Sequence, residues 1–366
     1  MPDLAPTLVD QLDTPSLLVD RDVLDRNIEA MGRQARERGV DLRPHFKTHK
    51  SVQIAQLQLQ HGATGLTCAT LGEARVLADA GVEDIFVAYP VWPGGPKKQL
   101  LRQLADQVTL SVGLDSTVSA DALAGALGAT PGSLRVLVEV DTGGHRTGVR
   151  PADAGALAVH AARLGLDVAG VFTHGGHSYG LGDAPQRAAR DEVDGLAEAA
   201  AALRSNGVEP RVVSAGSTPT AMLSATGPVT EERPGTYVFG DRQQVAIGSC
   251  RDADVALTVA STVVSRAVPG QLVLDAGTKC LGRETQPWLE GYAEVVGWPS
   301  VRLERLNDHH GVATLHGAGD DAPGVGSVVQ LVPNHVCPTV NLAQELVLTR
   351  AGEILDRWPV DARALV

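Results

Sequence analysis

Along the first two thirds of the chain, short apolar and β-branched runs alternate with Ala/Leu-rich stretches whose apolar positions recur at helical spacing. A helix is predicted from Asp20 to Gly39. Eight strands are predicted with it. The first is VDLRPHFK, ending near Lys47; the next are Gly65 to Thr70, Asp84 to Pro90 and Val108 to Asp115. The remaining four are Leu134 to Gly143, Leu166 to Gly176, Glu209 to Ser217 and Thr236 to Asp241. Eight β/α units in about 240 residues have the rhythm of a TIM (β/α)8 barrel. A doubly wound open sheet is the competing α/β solution, and the count of eight favours closure. After about Cys250, strand-like runs follow one another, punctuated by Gly and Pro, with almost no helical pattern. This predicts a second, mostly antiparallel β domain. The expected division is a barrel over residues 15–245 and a β domain over 246–366, with residues 1–14 packing with the latter.

Composition narrows the function classes. The chain has 366 residues, with 31 Lys+Arg against 43 Asp+Glu and a formal charge of −12. So acidic a chain offers no electrostatic footprint for nucleic acid or an anionic membrane. No apolar run reaches the length of a membrane-spanning helix, and the N-terminus lacks the basic-then-apolar order of a signal peptide. Cys68, Cys250, Cys280 and Cys337 are far apart and form no CxxC, which points to a reducing, cytoplasmic setting.

Chemistry in a barrel gathers at the C-terminal ends of its strands. The first strand ends in HFKTH, where alternation would put His45, Lys47 and His49 on one face. A lysine facing a barrel interior is costly unless it is paired or covalently bound. A Schiff base with a carbonyl and a plain ion pair explain it equally well. The fifth strand ends in DTGGHRTGV, a glycine turn presenting Arg146 either to an anionic ligand oxygen or to Asp141 or Glu139. The sixth ends in THGGHSY, with His174 at the strand end and His177 and Tyr179 in the loop, where polar loop roles suffice. After the seventh, Gly216, Ser217 and Thr218 are expected to open a helix and could cradle a phosphate, within reach of Tyr237; a plain Ser/Thr cap is the simpler reading. In the β domain, His335 and Cys337 are two apart and would share a strand face, a soft pair suited to zinc, although a buried cysteine and a hydrogen-bonded histidine explain the spacing as well. Asp308, His309 and His310 are further candidates there.

Taken together, TPSLLVD, RPHFKTHK, DTGGHRTGV, THGGHSY, GSTPT, RPGTYVFGD and PNHVCPTVNL resemble the fold-type III pyridoxal-phosphate (PLP) enzymes of the D-threonine aldolase and D-serine dehydratase group, over nearly the whole chain. The resemblance implies an alanine-racemase-like barrel in a cytoplasmic homodimer acting on a small-molecule D-amino acid. It implies that Lys47 carries PLP as an internal aldimine, that Arg146 lies near its phenolic oxygen and that His174 packs on its pyridine ring. Gly216, Ser217 and Thr218 match the phosphate turn, with Tyr237 close by, and Tyr179 joins the cofactor-binding set. His335 and Cys337 match ligands of a divalent metal, Zn or Mn, and with Lys47 form the catalytic set.

The implied activity is that of a lyase on D-3-hydroxy amino acids, of D-threonine aldolase type, giving glycine and an aldehyde. The alternative is a D-serine dehydratase type, giving a 2-oxo acid and ammonia. Aldolases of the group often carry His-x-Asp at the metal, so Cys337 is closer to the dehydratases. An amino acid racemase has no use for the His335–Cys337 pair, and its second base would have to be Tyr292, the one tyrosine after residue 245. A non-catalytic PLP-binding protein with this barrel would stop before the last 120 or so residues.

Overall fold

The computed structural model describes Leu4, residues 6–317 and residues 322–365. The chain divides into two compact units. The first strand, β1 (Ser16–Asp20), belongs to the second unit.

The barrel unit takes residues 29–47 and 52–235. Its strands are β2 (Asp41–Leu42), β3 (Leu66–Cys68), β4 (Asp84–Pro90), β5 (Thr109–Leu114), β6 (Arg135–Glu139), β7 (Asp167–Phe172), β8 (Val212–Ala215) and β9 (Glu231–Glu232). They pair in parallel in the order β2-β9-β8-β7-β6-β5-β4-β3. A parallel bridge between His45 and Thr67, with Thr67 N–H donating to Pro44 O at 2.8 Å, joins the two ends and closes the ring. Ile85, Val87, Leu110, Val112, Val136, Val138 and Val171 are fully buried, the continuous apolar pattern of strands covered on both faces. Inside, Phe86 and Phe172 meet edge to face with centroids 5.0 Å apart. The helices start where the sequence places caps. Thr70 accepts the Glu73 N–H at 3.0 Å while Glu73 Oε2 accepts the Ala69 N–H at 2.7 Å.

Two of the eight expected strands differ. The first stops at Leu42, because Pro44 cannot donate to a ladder, and Phe46–Thr48 forms a 3-10 turn. The eighth is Glu231–Glu232, and Thr236–Val238 is a second 3-10 turn. Two glutamates do not read as a strand, because their burial depends on distant partners. Arg43 Nε donates to Glu231 Oε2 at 2.6 Å and Ser214 Oγ to Glu231 Oε1 at 2.5 Å.

The second unit contains residues up to 28, 48–51 and 236–364, so the expected boundaries at 15 and 245 shift. Its further strands are β10 (Leu257–Ser265), β11 (Gln271–Leu274), β12 (Ala293–Val295), β13 (Val301–Leu306), β14 (Gly311–Leu315), β15 (Val328–Pro333), β16 (Glu345–Arg350) and β17 (Glu353–Pro359). The order β11-β14-β13-β12-β15-β10 closes through a β10–β11 pairing, and β1, β16 and β17 extend the sheet from β10. Closure leaves the ring without open edges. All pairings are antiparallel except β1 with β16. β1 is bound on both sides, by Val259 opposite Leu17 and Val347 beside Leu18. No helix among the described residues is long and apolar enough to cross a membrane.

Candidate active site

In the barrel unit, Lys47 owes its direction to the 3-10 turn rather than to strand alternation. Phe46 is fully buried and anchors the turn, and the Lys47 N–H donates to His45 Nδ1 at 3.4 Å. His49 is buried with its ring against Ser51, in the second unit, so the expected common face of His45, Lys47 and His49 does not exist.

Arg146 is presented by a turn with internal hydrogen bonds. Asp141 Oδ1 accepts the N–H groups of Gly143 at 2.9 Å and His145 at 3.0 Å, and Oδ2 pairs with His145 Nδ1 at 2.9 Å. Burial alone would raise the Asp141 pKa, but the bonds from His145 and Gly143 outweigh it and hold the carboxyl below its usual value. The turn closes at Gly148, whose φ of +104° and approach to Asp141 N leave no room for a side chain. Asp141 is thus engaged with His145, and Glu139 accepts Thr147 Oγ1 at 2.8 Å. Among the described residues, no carboxylate forms an ion pair with Arg146 or with Lys47.

His174 follows β7 and lines a cavity of about 130 Å³ together with Glu139, Arg146 and Thr147. Burial and then the positive charges of Lys47, Arg146 and Arg233 push its pKa down to about 3. It is therefore a neutral imidazole beside three cations, of which Lys47 and Arg146 form no ion pair with a carboxylate among the described residues. That surplus of positive charge fits an anionic, phosphorylated aldehyde such as PLP: Lys47 would hold the carbonyl carbon and Arg146 would face an anionic oxygen. His177 pairs with Asp191 at 3.1 Å, a polar loop role, and Tyr179 is half-buried just beyond the same short turn.

The helix expected after Gly216, Ser217 and Thr218 does not form; a run of turns follows instead. Gly216 has φ +88° and donates its N–H to Glu192 Oε1 at 3.2 Å. Ser217 N–H donates to Thr220 Oγ1 at 2.9 Å, and Ser217 Oγ lies 3.2 Å from Ser178 Oγ and 3.0 Å from Thr220 Oγ1. Thr218 Oγ1 accepts the Gly235 N–H at 3.3 Å. What this segment offers a phosphate is a cluster of hydroxyls rather than a helix N-terminus. Tyr237 is buried in the Thr236–Val238 turn, which belongs to the second unit.

Arg233 is a residue that sequence reasoning missed. It is buried, stacked over Phe86 and Phe172 at 5.7 and 5.5 Å, and donates to Thr173 O and Ser214 Oγ. The run EERP was its signal: three consecutive charges in a segment that must lie against a barrel core.

In the second unit, β15 ends at Pro333, and His335 precedes the helix Val336–Leu342 instead of lying on a strand. Alternation therefore does not relate His335 to Cys337; the first helical turn does. Asp241, fully buried, arranges the pair. Its Oδ2 accepts Val336 N–H at 3.1 Å and lies 3.1 Å from His335 Nδ1, while Oδ1 accepts Gln244 N–H at 2.9 Å. With Nδ1 beside Asp241, the imidazole also interacts with the Cys337 side chain. The Cys337 thiol donates to Thr48 Oγ1 at 3.4 Å. Burial disfavours a charge on His335, yet Cys337 and Asp241 together raise its pKa well above the ordinary value.

Among the described residues no group of three or more His, Cys, Asp or Glu side chains could hold a metal. The donor set of His335 and Cys337 nevertheless fits a divalent cation completed by non-protein ligands, since the imidazole is oriented by a carboxylate as metal-binding histidines are. Asp308 and His309, at the β13–β14 turn, pair with Lys279 instead. Asp241 is also hard to find in the sequence, because Asp before Arg-Gln-Gln looks like a plain helix cap. Asp241→Asn is expected to weaken divalent-metal affinity by about 10–100-fold, read by metal titration of the purified chain.

Residues 19–243 match the alanine racemase N-terminal domain family, and residues 256–349 a serine dehydratase domain. The chain is 38% identical to D-threo-3-hydroxyaspartate dehydratase of Delftia sp. (strain HT23), over 90% of this chain and 92% of the relative. It is 35% identical to D-threonine aldolase of Arthrobacter sp., over 96% and 93% of the two chains. The solved D-threonine aldolase of Filomicrobium marinum superposes with a TM-score of 0.88 at 34% identity, covering 98% of each chain. A cysteine-to-alanine mutant of a D-threo-3-hydroxyaspartate dehydratase, solved in the metal-free form, superposes equally well (TM-score 0.88, 34% identity, 98% of this chain and 99% of that one). With a closed parallel barrel, a closed antiparallel β unit and relatives matched end to end, the chain belongs to the fold-type III PLP-dependent enzymes, in the group of D-threonine aldolase and D-threo-3-hydroxyaspartate dehydratase.

Proposed function

We propose that the chain is a PLP-dependent lyase of D-3-hydroxy amino acids that eliminates the β-hydroxyl to give a 2-oxo acid and ammonia. The observation that carries this reading is the His335–Cys337 pair with its orienting Asp241. A thiolate beside an imidazole suits a borderline-soft cation such as Zn²⁺.

Bound PLP supplies an electron sink for negative charge at the substrate Cα, and a divalent cation supplies Lewis acidity toward a hydroxyl oxygen. The chain's own residues do the rest. Lys47 Nζ would hold the cofactor and would move the proton at Cα. Arg146 offsets anionic charge on the bound ligand. His174, neutral at physiological pH, adds no proton and no competing charge. His335 and Cys337 would hold the cation, and Asp241 would keep the imidazole in the Nδ1–H tautomer.

Retro-aldol cleavage to glycine and an aldehyde, the type first expected from sequence, is the second reading. It is favoured by the similarity to two D-threonine aldolases. Product analysis separates them. With D-threonine, 2-oxobutyrate and ammonia are expected in equal amounts. Glycine and acetaldehyde as the main products would establish the aldolase instead.

A further inference from the structure

Beneath the Gly216 turn, wholly within the barrel unit, lie two carboxylates that the proposed chemistry does not use. Glu192, on the helix Ala184–Ser205, and Glu232, on β9, are both fully buried. Each has one oxygen satisfied. Glu192 Oε1 accepts the N–H groups of Gly175 at 2.9 Å and Gly216 at 3.2 Å, and Glu232 Oε1 accepts Ser224 Oγ at 2.9 Å. Each also has one buried oxygen, Oε2, that accepts no hydrogen bond in this structure, and the Thr220 hydroxyl is the further group that acts on Glu192. Both side chains press on the same residue. A Cβ at Gly216 would overlap Glu232 Oε2, while the Gly216 N–H is held by Glu192. Arg233 is the cation that faces both, and it also faces Glu231 and Glu139. Glu231 is paired with Arg43. One guanidinium therefore has to serve several carboxylates. Two adjacent buried carboxylates cannot both ionise cheaply under those conditions.

We propose that Glu192 and Glu232 hold one proton between them, and that this proton fixes the turn at Gly216, Ser217 and Thr218 and makes Glu192 and Glu232 positioning residues for an anionic group bound there. One proton held by the pair removes a negative charge from beneath the turn. Burial, then Glu192, pushes the Glu232 pKa up to about 8, in agreement with that protonation. The link to the PLP phosphate rests on the function proposed above; the shared proton does not.

The test compares the full-length wild type with Glu232→Gln, whose amide replaces the protonated acid. A carboxyl whose pKa is raised by folding contributes stability below its unfolded value and loses it as pH rises to the folded value. The wild-type unfolding temperature, minus that of the variant, should therefore fall from pH 5 to pH 8 and level off above. A difference that does not change with pH overturns the shared proton. The second readout is the PLP dissociation constant, followed by absorbance. Its wild-type-to-variant ratio should rise by about tenfold between pH 7 and pH 9, as a second charge appears beneath the turn. Effects of PLP's own titration cancel in that ratio. A flat ratio with a pH-dependent unfolding difference overturns the link to the turn. Absence of PLP binding by either protein, with the same unfolding result, counts against the function and not against the proton. If Glu232→Gln does not fold, Glu192→Gln carries the same comparison.

Discussion

Lys47→Ala is expected to abolish the visible absorbance of protein-bound PLP and to reduce turnover by ~10⁴-fold or more, because one amine both holds the cofactor and moves the Cα proton. No other lysine is placed to substitute. The chain has Lys47, Lys50, Lys97, Lys98 and Lys279. Lys50 is buried and donates to Ala362 O at 3.3 Å, and Lys279 pairs with Asp308 at 3.5 Å. Lys97 and Lys98 are exposed on the helix Pro96–Gln107. Lys47→Arg sharpens the test. It keeps the positive charge that helps hold His174 neutral, but a guanidinium is neither nucleophilic nor a proton acceptor at ordinary pH. That variant should fold as the wild type does and still show no PLP absorbance. Absorbance retained in Lys47→Arg and Lys47→Ala alike would refute the assignment of the lysine.

Removal of the His335–Cys337 site should separate cofactor binding from catalysis. Lewis-acid assistance is worth several kcal/mol, so His335→Ala or Cys337→Ala is expected to cost about 10²–10³-fold in turnover. Bound-PLP absorbance should persist, because Lys47 and the cations around His174 are untouched. Cys337→Ser tests the chemistry more finely. It keeps a group able to hydrogen-bond Thr48, but a serine hydroxyl does not ionise near neutral pH and is a harder ligand than a thiolate. If the thiolate is the ligand, the Cys337→Ser variant should lose as much turnover as Cys337→Ala. Wild-type turnover in either alanine variant would refute the metal role.

Much of the fold is legible in the chain because parallel barrel strands covered on both faces are continuous apolar runs. Asp84–Pro90 matches its expected run to the residue, and β5 to β8 lie within theirs. The two misplaced strands both turn on features that an apolar pattern does not register. β2 is cut short by Pro44, a signal present in RPHFK, and β9 is a pair of glutamates bonded to Arg43 and Ser224 respectively. Lys47, His335 and Cys337 stand out for their chemistry, yet strand alternation misorients them in both places. Each lies just beyond a proline that ends a strand, Pro44 in one case and Pro333 in the other. The supporting groups are illegible for another reason. Asp241, Glu192 and Arg233 look like a cap, a surface helix position and a turn residue, and only distant segments of the fold bury them.

A lyase that requires PLP on Lys47 and a cation on His335 and Cys337 should release ammonia only when both are bound. The decisive measurement is ammonia release from the two enantiomers of threonine by chelator-treated and metal-reloaded holoprotein. Ammonia and 2-oxobutyrate are expected from D-threonine alone, lost on chelation and restored by Zn²⁺ or Mn²⁺. Equal turnover of L-threonine, or full turnover by protein shown to be free of metal, would contradict that reading.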